Sequence, residues 1–349
     1  MANYGYLNAR VRGMRSRLVP PAFADQVLAG GGFQGFVNAL AQTAYASDLE
    51  SARATGGAVQ SAAERASLSA VDEAIAAHFR RTAEALMRYA EGDAKRLLGL
   101  LLRRYDVANL KAVARAFHAG KAGAEREDAA DAVLPATLSV GELSPTVLRT
   151  MAGASDMGAA AQALVVARHA LADAFRSAVA GYLREGDLLA LELSLDQAHH
   201  ASVLADARKV GAPEAFLEYL SLEVDVTNVL TAVKLRAREL DAGDYFVEGG
   251  LHLSKGQFLE AAAAEQGAPL PDLRGPFKGV QERGERLEAA LRQALERAAR
   301  TLTADPLDIG LVTHFLRAKE RETAVLRLLA RGTFYGVPAD TLRRELGHG

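Results

Sequence analysis

An internal repeat constrains the fold of a chain more strongly than any single motif does, and this sequence of 349 residues carries one. In two places the order Asp-Val-x-Asn is followed by a mostly apolar stretch that ends on a basic residue, Arg115 in the first copy and Lys234 in the second. A third, more diverged copy has Glu and Thr at the matching positions. The paired positions, in chain order, are Asp106 and Asn109, Asp225 and Asn228, and Glu320 and Thr323.

The spacing of the copies indicates how the chain is divided. They lie roughly 120 and roughly 95 residues apart, which is too long and too unequal for a solenoid of short repeats. The repeat therefore predicts three related helical subdomains, at residues 1–130, 131–245 and 246–349. Because glycine readily adopts the left-handed conformation of a helix C-terminus, the helices of the three copies are predicted to end at Gly120, Gly243 and Gly332.

The two polar residues of each pair are spaced to share one face of a helix. One interpretation is a buried, hydrogen-bonded pair that joins neighbouring segments, and the other is a catalytic site. Repetition favours the first, because three copies of a structural joint make sense and three partial catalytic sites do not. The six paired residues are therefore predicted to be structural joints, and no catalytic, cofactor-binding or metal-binding residue is predicted.

Apolar residues recur at helical spacing through most of the chain. Residues 71–89 place Val71, Ile75, Phe79, Leu86 and Tyr89 on one stripe, and residues 287–302 repeat this pattern. No segment alternates in the manner of a half-buried strand. The expected fold class is all-α.

Composition excludes several classes of function. The chain has no Cys, which excludes disulfides, thiolate metal sites and cysteine nucleophiles. With 41 basic and 43 acidic residues, the net charge of −2 provides no long-range attraction to nucleic acid. The longest uncharged stretch, residues 26–47, contains four glycines and several polar residues, so a membrane span is not expected. The sequence predicts a cytoplasmic protein that meets a membrane, if at all, from the surface or through a partner.

Three patterns suggest chemistry and have simpler interpretations. Gly30 to Gly35 matches G-x-G-x-x-G, but no strand is predicted to precede it, so a flexible turn before a helix at residues 36–46 is expected. The adjacent His199 and His200 point to different faces of a helix, which favours packing roles over zinc binding. An acidic cluster of Glu127, Asp128 and Asp131 could bind a diphosphate but is typical of a solvated loop.

Five segments carry a resemblance that extends across nearly the whole chain. In chain order they are Tyr6–Arg12, Arg104–Lys111, Tyr219–Asn228, Asp305–Gly310 and Lys319–Gly332. Together they resemble the C subunit of bacterial and archaeal V-type/A-type rotary ATPases, which is similar to the d subunit of eukaryotic vacuolar ATPases. One departure is Thr323, which stands where the first two copies have Asn.

The resemblance implies a funnel of three helical subdomains about a pseudo-threefold axis. It implies a non-catalytic rotor subunit without cofactors, located between the membrane ring of proteolipid subunits and the central shaft that the D and F subunits form. It also implies a peripheral position on the cytoplasmic face of the membrane. The family-motif residues that become candidates for partner contact are Tyr6, Asn8, Arg10, Arg12 and Arg331.

Two other classes of function remain open from the residues alone. A free cytoplasmic helical adaptor would have the same composition and periodicity. An all-α enzyme acting through the carboxylate cluster at residues 127–131 is the weaker alternative.

Overall fold

The computed structural model of the chain describes residues 4–55, 63–123, 129, 133–134, 137–238, 240–281 and 285–347. Within these ranges it contains fifteen α-helices, a few short 3-10 turns and no strand, so the predicted all-α class is confirmed. The predicted acidic cluster of residues 127, 128 and 131 lies outside the described residues. The helices are α1 (Tyr4–Arg15), α2 (Ala22–Leu28), α3 (Gly32–Leu40), α4 (Ala46–Thr55), α5 (Ala63–Tyr89), α6 (Gly92–His118), α7 (Pro145–Ala152), α8 (Met157–Val166), α9 (Ala172–Glu185), α10 (Leu188–Val210), α11 (Glu214–Leu235), α12 (Lys255–Ala263), α13 (Glu285–Thr301), α14 (Gly310–Phe334) and α15 (Ala339–Gly347).

Helix boundaries follow local chemistry in some places and tertiary packing in others. Gly120 has φ of 62° just beyond α6, which confirms it as a helix end. The prediction for Gly332 was wrong, because it lies inside α14, where a Cβ would stand 2.4 Å from the side chain of Leu342. Gly243 belongs to a 3-10 turn, whereas α11 ends earlier, at Leu235. Position 332 requires glycine because another side chain packs closely against it, and not because a helix ends there.

Both periodic segments are helices that bury most of the predicted stripe. Val71, Ile75, Phe79 and Leu86 on α5 are buried, whereas Tyr89, at the end of the helix, is partly exposed. The predicted helix at residues 287–302 corresponds to α13. The glycine-rich segment supplies the turn before α3, with Gly31 left-handed at the N-cap, but the helix begins at Gly32 and ends at Leu40 rather than spanning the predicted residues 36–46.

The chain divides into two compact units. The first contains residues 1–91 and 299–349, where α14 packs against α1, α3 and α5 around a core that includes Phe36, Leu40 and Leu329. The second contains residues 92–298, where α6 packs against α7 and α10, and α11 packs against α12. The three-subdomain division stays a prediction.

No helix among the described residues is long and apolar enough to cross a bilayer.

Candidate functional site

The first Asp/Asn pair lies on α6 and binds the backbone of the segment that leads to α7. The carboxylate of Asp106, which is fully buried, accepts hydrogen bonds from the N–H of Glu142 at 2.8 Å and of Leu143 at 3.1 Å. The amide of Asn109 accepts from the N–H of Leu138 at 2.7 Å and donates to its carbonyl at 3.1 Å. We call these five residues the first clamp.

The second pair, on α11, binds its loop through the same atoms. Asn228 accepts from the N–H of Val247 and donates to its carbonyl, both at 2.9 Å. A side-chain amide that satisfies both backbone groups of one residue fixes that residue in position and orientation.

Asp225 completes this second clamp. Its carboxylate accepts from the N–H groups of Leu251 and His252 at 3.0 Å and of Leu253 at 3.1 Å. Burial raises the pKa of Asp225, and the three backbone donors oppose that rise. The second clamp thus consists of Asp225, Asn228, Val247 and residues 251–253.

A glycine lies against the carboxylate in each clamp, and the sequence interpretation missed it. A Cβ on Gly141 would stand 2.3 Å from Asp106 Oδ2, and a Cβ on Gly250 would stand 2.2 Å from Asp225 Oδ1. Only glycine therefore lets the following N–H groups reach the buried carboxylate. Each glycine is also three residues after the residue that the Asn holds.

Each clamped loop then leads into a helix through the same two residue types. Leu143 and Leu253 are buried, and Ser144 and Ser254, which follow them, are the N-caps of α7 and α12. The repeated order Gly, one or two residues, Leu, Ser was visible in the sequence. It was missed because the segments differ in length and contain no strong motif.

Within the part of the chain that the structure describes, the first clamp has one partner that the second lacks. His169 Nε2 lies 3.3 Å from Asp106 Oδ2, and both side chains are buried. The Nδ1 atom of His169 accepts from the N–H of Leu171, so the proton is on Nε2 and is donated to Asp106. Arg168, immediately before, has the left-handed φ of 57° that is uncommon for a residue with a side chain.

The third copy is built differently. Glu320 binds Arg317 on its own helix at 2.8 Å, and Thr323 is buried. The carboxylate that holds a distant backbone segment is instead that of Glu322, which accepts from the N–H of Val19 at 2.5 Å. The assignment of Glu320 and Thr323 as the third joint stays a prediction.

Glu322 belongs to a buried polar cluster. The hydroxyl of Tyr45 donates to it at 2.6 Å, and Lys319 forms an ion pair with it. Lys319 also donates to the Tyr45 oxygen at 2.9 Å and lies over its ring. Burial and the negative charge of Glu322 raise the pKa of Tyr45, while burial lowers the pKa of Lys319.

The first and fourth family-like segments come together in the first unit. Asn8, which is buried, donates to the carbonyls of Pro306 at 2.7 Å and Asp308 at 3.0 Å. The intervening Leu307 is exposed. No sequence pattern indicated that these two segments, 298 residues apart at their closest bond, would touch.

The other candidate contact residues lie on the surface of the same unit. Arg10 donates to the hydroxyl of Tyr89 at 2.7 Å and stacks on its ring, which Tyr6 meets edge-on. Arg12 is exposed, and Arg331 pairs with Asp72 at 3.3 Å. Their predicted contacts with partners stay predictions.

The two adjacent histidines are packed rather than solvated. His200 Nε2 lies 2.7 Å from the hydroxyl of Thr227, and His199 is buried. Burial lowers the pKa of both, so they are neutral at pH 7. Among the residues that the structure describes, no group of three potential metal ligands occurs.

Three ion pairs connect α6 to α10 in the second unit. Arg115 makes a two-bond contact with Glu192 at 2.6 and 2.7 Å. Such paired geometry resists rotation of one helix about the other. The other two pairs are Lys111 with Asp196 at 2.5 Å and Arg103 with Asp206 at 2.9 Å.

Comparison with known proteins identifies the relatives of the chain. It is 34% identical to the C subunit of the V-type ATP synthase of Deinococcus radiodurans, over 99% of this chain and 91% of the relative. It is 32% identical to the C subunit of the V-type ATP synthase of Thermus thermophilus, over 99% of this chain and 98% of the relative. The C subunit of the A-type ATP synthase of Haloquadratum walsbyi is 26% identical, over 79% of this chain and 81% of the relative.

The profile of one protein family matches residues 7–345, which include both clamps, the Glu322 cluster and the segments joined by Asn8. The match extends over far more than half of the sequence. The resemblance inferred from five short segments is confirmed. The chain belongs to the ATP synthase (C/AC39) subunit family.

Proposed function

We propose that the chain is a non-catalytic rotor subunit of a V/A-type ATP synthase, which connects the proteolipid ring of the membrane sector to the D and F subunits of the central shaft. The observation that carries this proposal is the match, along nearly the entire chain, to relatives that are C subunits of ATP synthases. In this role the subunit transmits torque for ATP synthesis or ion pumping. It is peripheral on the cytoplasmic face of the membrane.

A torque-transmitting body must deform little under load, and the clamps supply a reason for stiffness. Each anchors a connecting segment to the middle of a long helix through buried hydrogen bonds. Buried bonds of this kind are costly to break, because the freed groups have no water to bind. We propose that the Asp/Asn pairs are the structural joints of the repeat and that Glu322 serves as the third.

The decisive experiment removes the chain from the assembled ATP synthase of its own cell and then adds it back. We expect the catalytic head to hydrolyse ATP in both states, whereas ATP-driven ion pumping disappears without the chain and returns with it. Loss of ATP hydrolysis by the isolated head on removal would contradict a non-catalytic role. Unchanged pumping would contradict a role in the rotor.

A double variant tests the joints within that assay. Asp106→Ala with Asn109→Ala is expected to impair assembly or coupling while the head retains ATP hydrolysis. The matched control is Asp173→Ala with Arg176→Ala, which removes an exposed pair on α9. Circular dichroism of each purified variant separates a misfolded chain from a folded one that couples poorly.

Cell fractionation distinguishes the rotor subunit from a free adaptor. A rotor subunit sediments with membranes and is released together with shaft subunits. A chain that stays soluble and alone, in cells that contain the assembled synthase, would favour the adaptor.

A further inference from the structure

A cavity of about 430 Å³ lies within the first unit, beside the Glu322 cluster. Its wall is formed by residues of α1, α4, α5 and α14 and of the connections that follow α1 and α3. The volume lies in the range of small-molecule sites in proteins. Part of its wall is apolar, from Met14, Leu18 and Phe315.

The charged side chains that line this cavity are all basic. They are Arg17, Arg81 and Lys319, and none of the described lining residues is Asp or Glu. His78 also contributes to the wall, and burial lowers its pKa, so it is neutral at pH 7.

Two carboxylates bind side chains of this wall and are already paired. Asp48 binds His78 at 2.9 Å and forms an ion pair with Arg81. Glu322 binds Lys319, the Tyr45 hydroxyl and a backbone N–H. Each carboxylate thus balances one cation, and the third cation, Arg17, has no ion-pair partner among the described residues.

The sequence around Arg17 contains no acidic residue. Residues 13–24 contain Arg15 and Arg17 and neither Asp nor Glu. Both arginines are exposed, at the end of α1 and just beyond it. A concave site with one sign of charge and low-dielectric walls concentrates ions of the opposite sign.

We propose that this cavity is an anion site that binds a phosphate group, with Arg17 and Arg81 as the accessible ligands and Lys319 at its base. Guanidinium groups match phosphate oxygens in two-bond geometry, and an ammonium adds a point charge. The apolar part of the wall contacts the rest of the molecule that carries the phosphate. The phosphate can belong to a free small molecule or to a lipid headgroup.

Calorimetric titration of the full chain with inorganic phosphate, at constant ionic strength against chloride, tests the free-anion source. We expect one phosphate per chain, with affinity reduced about tenfold in Arg17→Gln. Arg12→Gln is the matched control, because it removes the same charge from an exposed position of α1 that does not line the cavity. Both side chains are exposed, so both variants are expected to fold.

Flotation with vesicles tests the lipid source. Phosphatidylcholine vesicles are compared with vesicles that also contain phosphatidic acid, with the same two variants. Binding in either assay that Arg17→Gln weakens and Arg12→Gln preserves supports the site and identifies its source. Equal loss in both variants, or no binding in either assay, overturns the proposal.

Discussion

Asp106 and Asp225 hold equivalent loops, but the hydrogen bonds to their buried carboxylates differ. Asp225 accepts from three backbone N–H groups. Asp106 accepts from two and from the imidazole of His169. The imidazole of His169 thus provides the third hydrogen bond to the carboxylate in the first clamp, whereas a third backbone N–H of the loop provides it in the second.

The comparison shows which parts of the joint are replaceable. The Asn, the glycine and the buried Leu occur in both clamps, because they fix the position of the loop. The third donor to the carboxylate varies, since a buried carboxylate needs donors but does not require a particular source. In the first unit Glu322 uses an ammonium, a phenol hydroxyl and one backbone N–H.

The largest loss of stability is expected for a substitution that tests whether Glu322 is equivalent to Asp106 and Asp225. Glu322→Ala leaves Lys319 charged and buried, with Tyr45 and Val19 also losing their acceptor. We expect a loss of about 4 to 5 kcal/mol in the free energy of unfolding. Urea unfolding followed by circular dichroism measures it.

Glu320→Ala is the matched control on the same helix. It breaks a pair one turn away, with Arg317, that is partly exposed, so about 1 kcal/mol or less is expected. If Glu320→Ala lowered the free energy of unfolding more than Glu322→Ala did, Glu320 and not Glu322 would be the third joint.

The next effect compares the two clamps directly. Asp225→Ala orphans three N–H groups, of which that of Leu253 is buried, and we expect a loss of about 4 kcal/mol. Asp106→Ala orphans two backbone N–H groups, one fewer than in the second clamp, together with the imidazole of His169, and about 3 kcal/mol is expected. Urea unfolding of the two variants side by side measures the difference, and equal losses would contradict it.

A double substitution measures the contribution of the imidazole. His169→Ala should reduce the cost of Asp106→Ala, because the two side chains are in contact. The same substitution should leave the cost of Asp225→Ala unchanged. Additive losses for the pair His169 and Asp106 would exclude the imidazole as the replacement for the missing amide.

A smaller effect is expected at the glycine of the second clamp. Gly250→Ala places a methyl group against the Asp225 carboxylate and should cost about 2 to 3 kcal/mol. Gly256→Ala is the control, because the structure has open space around Gly256. It lies in α12, where alanine should be neutral or stabilising. Equal stabilities in thermal unfolding would show that the close approach of Gly250 is unimportant.

The smallest effect concerns pH and the histidines of α10. Burial holds the pKa of His199 well below 6.5, so acid protonates it in the unfolded chain before the folded one. Its contribution is therefore complete above about pH 6.5 and decreases as the pH falls, by at most about 1.4 kcal/mol per pH unit. The raised pKa of Asp225 has the opposite effect at lower pH. The folded chain binds a proton there more readily than the unfolded chain does, so this group increases the stability of the fold as the pH falls.

The variant His199→Gln isolates this effect. Between pH 7 and about pH 5.5, its stability to urea should fall by about 1 kcal/mol less than that of the parent chain. Parallel pH profiles for the two chains would contradict the assignment.

Local patterns predicted the elements of the fold well. The apolar stripe of α5 was predicted correctly because side chains one helical turn apart share a face, so periodicity reports burial. A turn was also predicted at the glycines before α3, but its end was misplaced, because the helix already begins at Gly32, inside the glycine-rich segment. The prediction for Gly332 failed because the need for glycine there comes from contact with Leu342, which belongs to another helix.

The sequence by itself determined the helical class, the family and the repeated Asp/Asn pairs, because these depend on residue types at short spacing. Only the tertiary structure decided which groups bind the buried carboxylates. His169 donates to Asp106 from 63 residues away, and Val19 donates to Glu322 from 303 residues away. Such partners are selected by the packing of whole helices, which no local pattern encodes, and by the need of each buried carboxylate for enough donors.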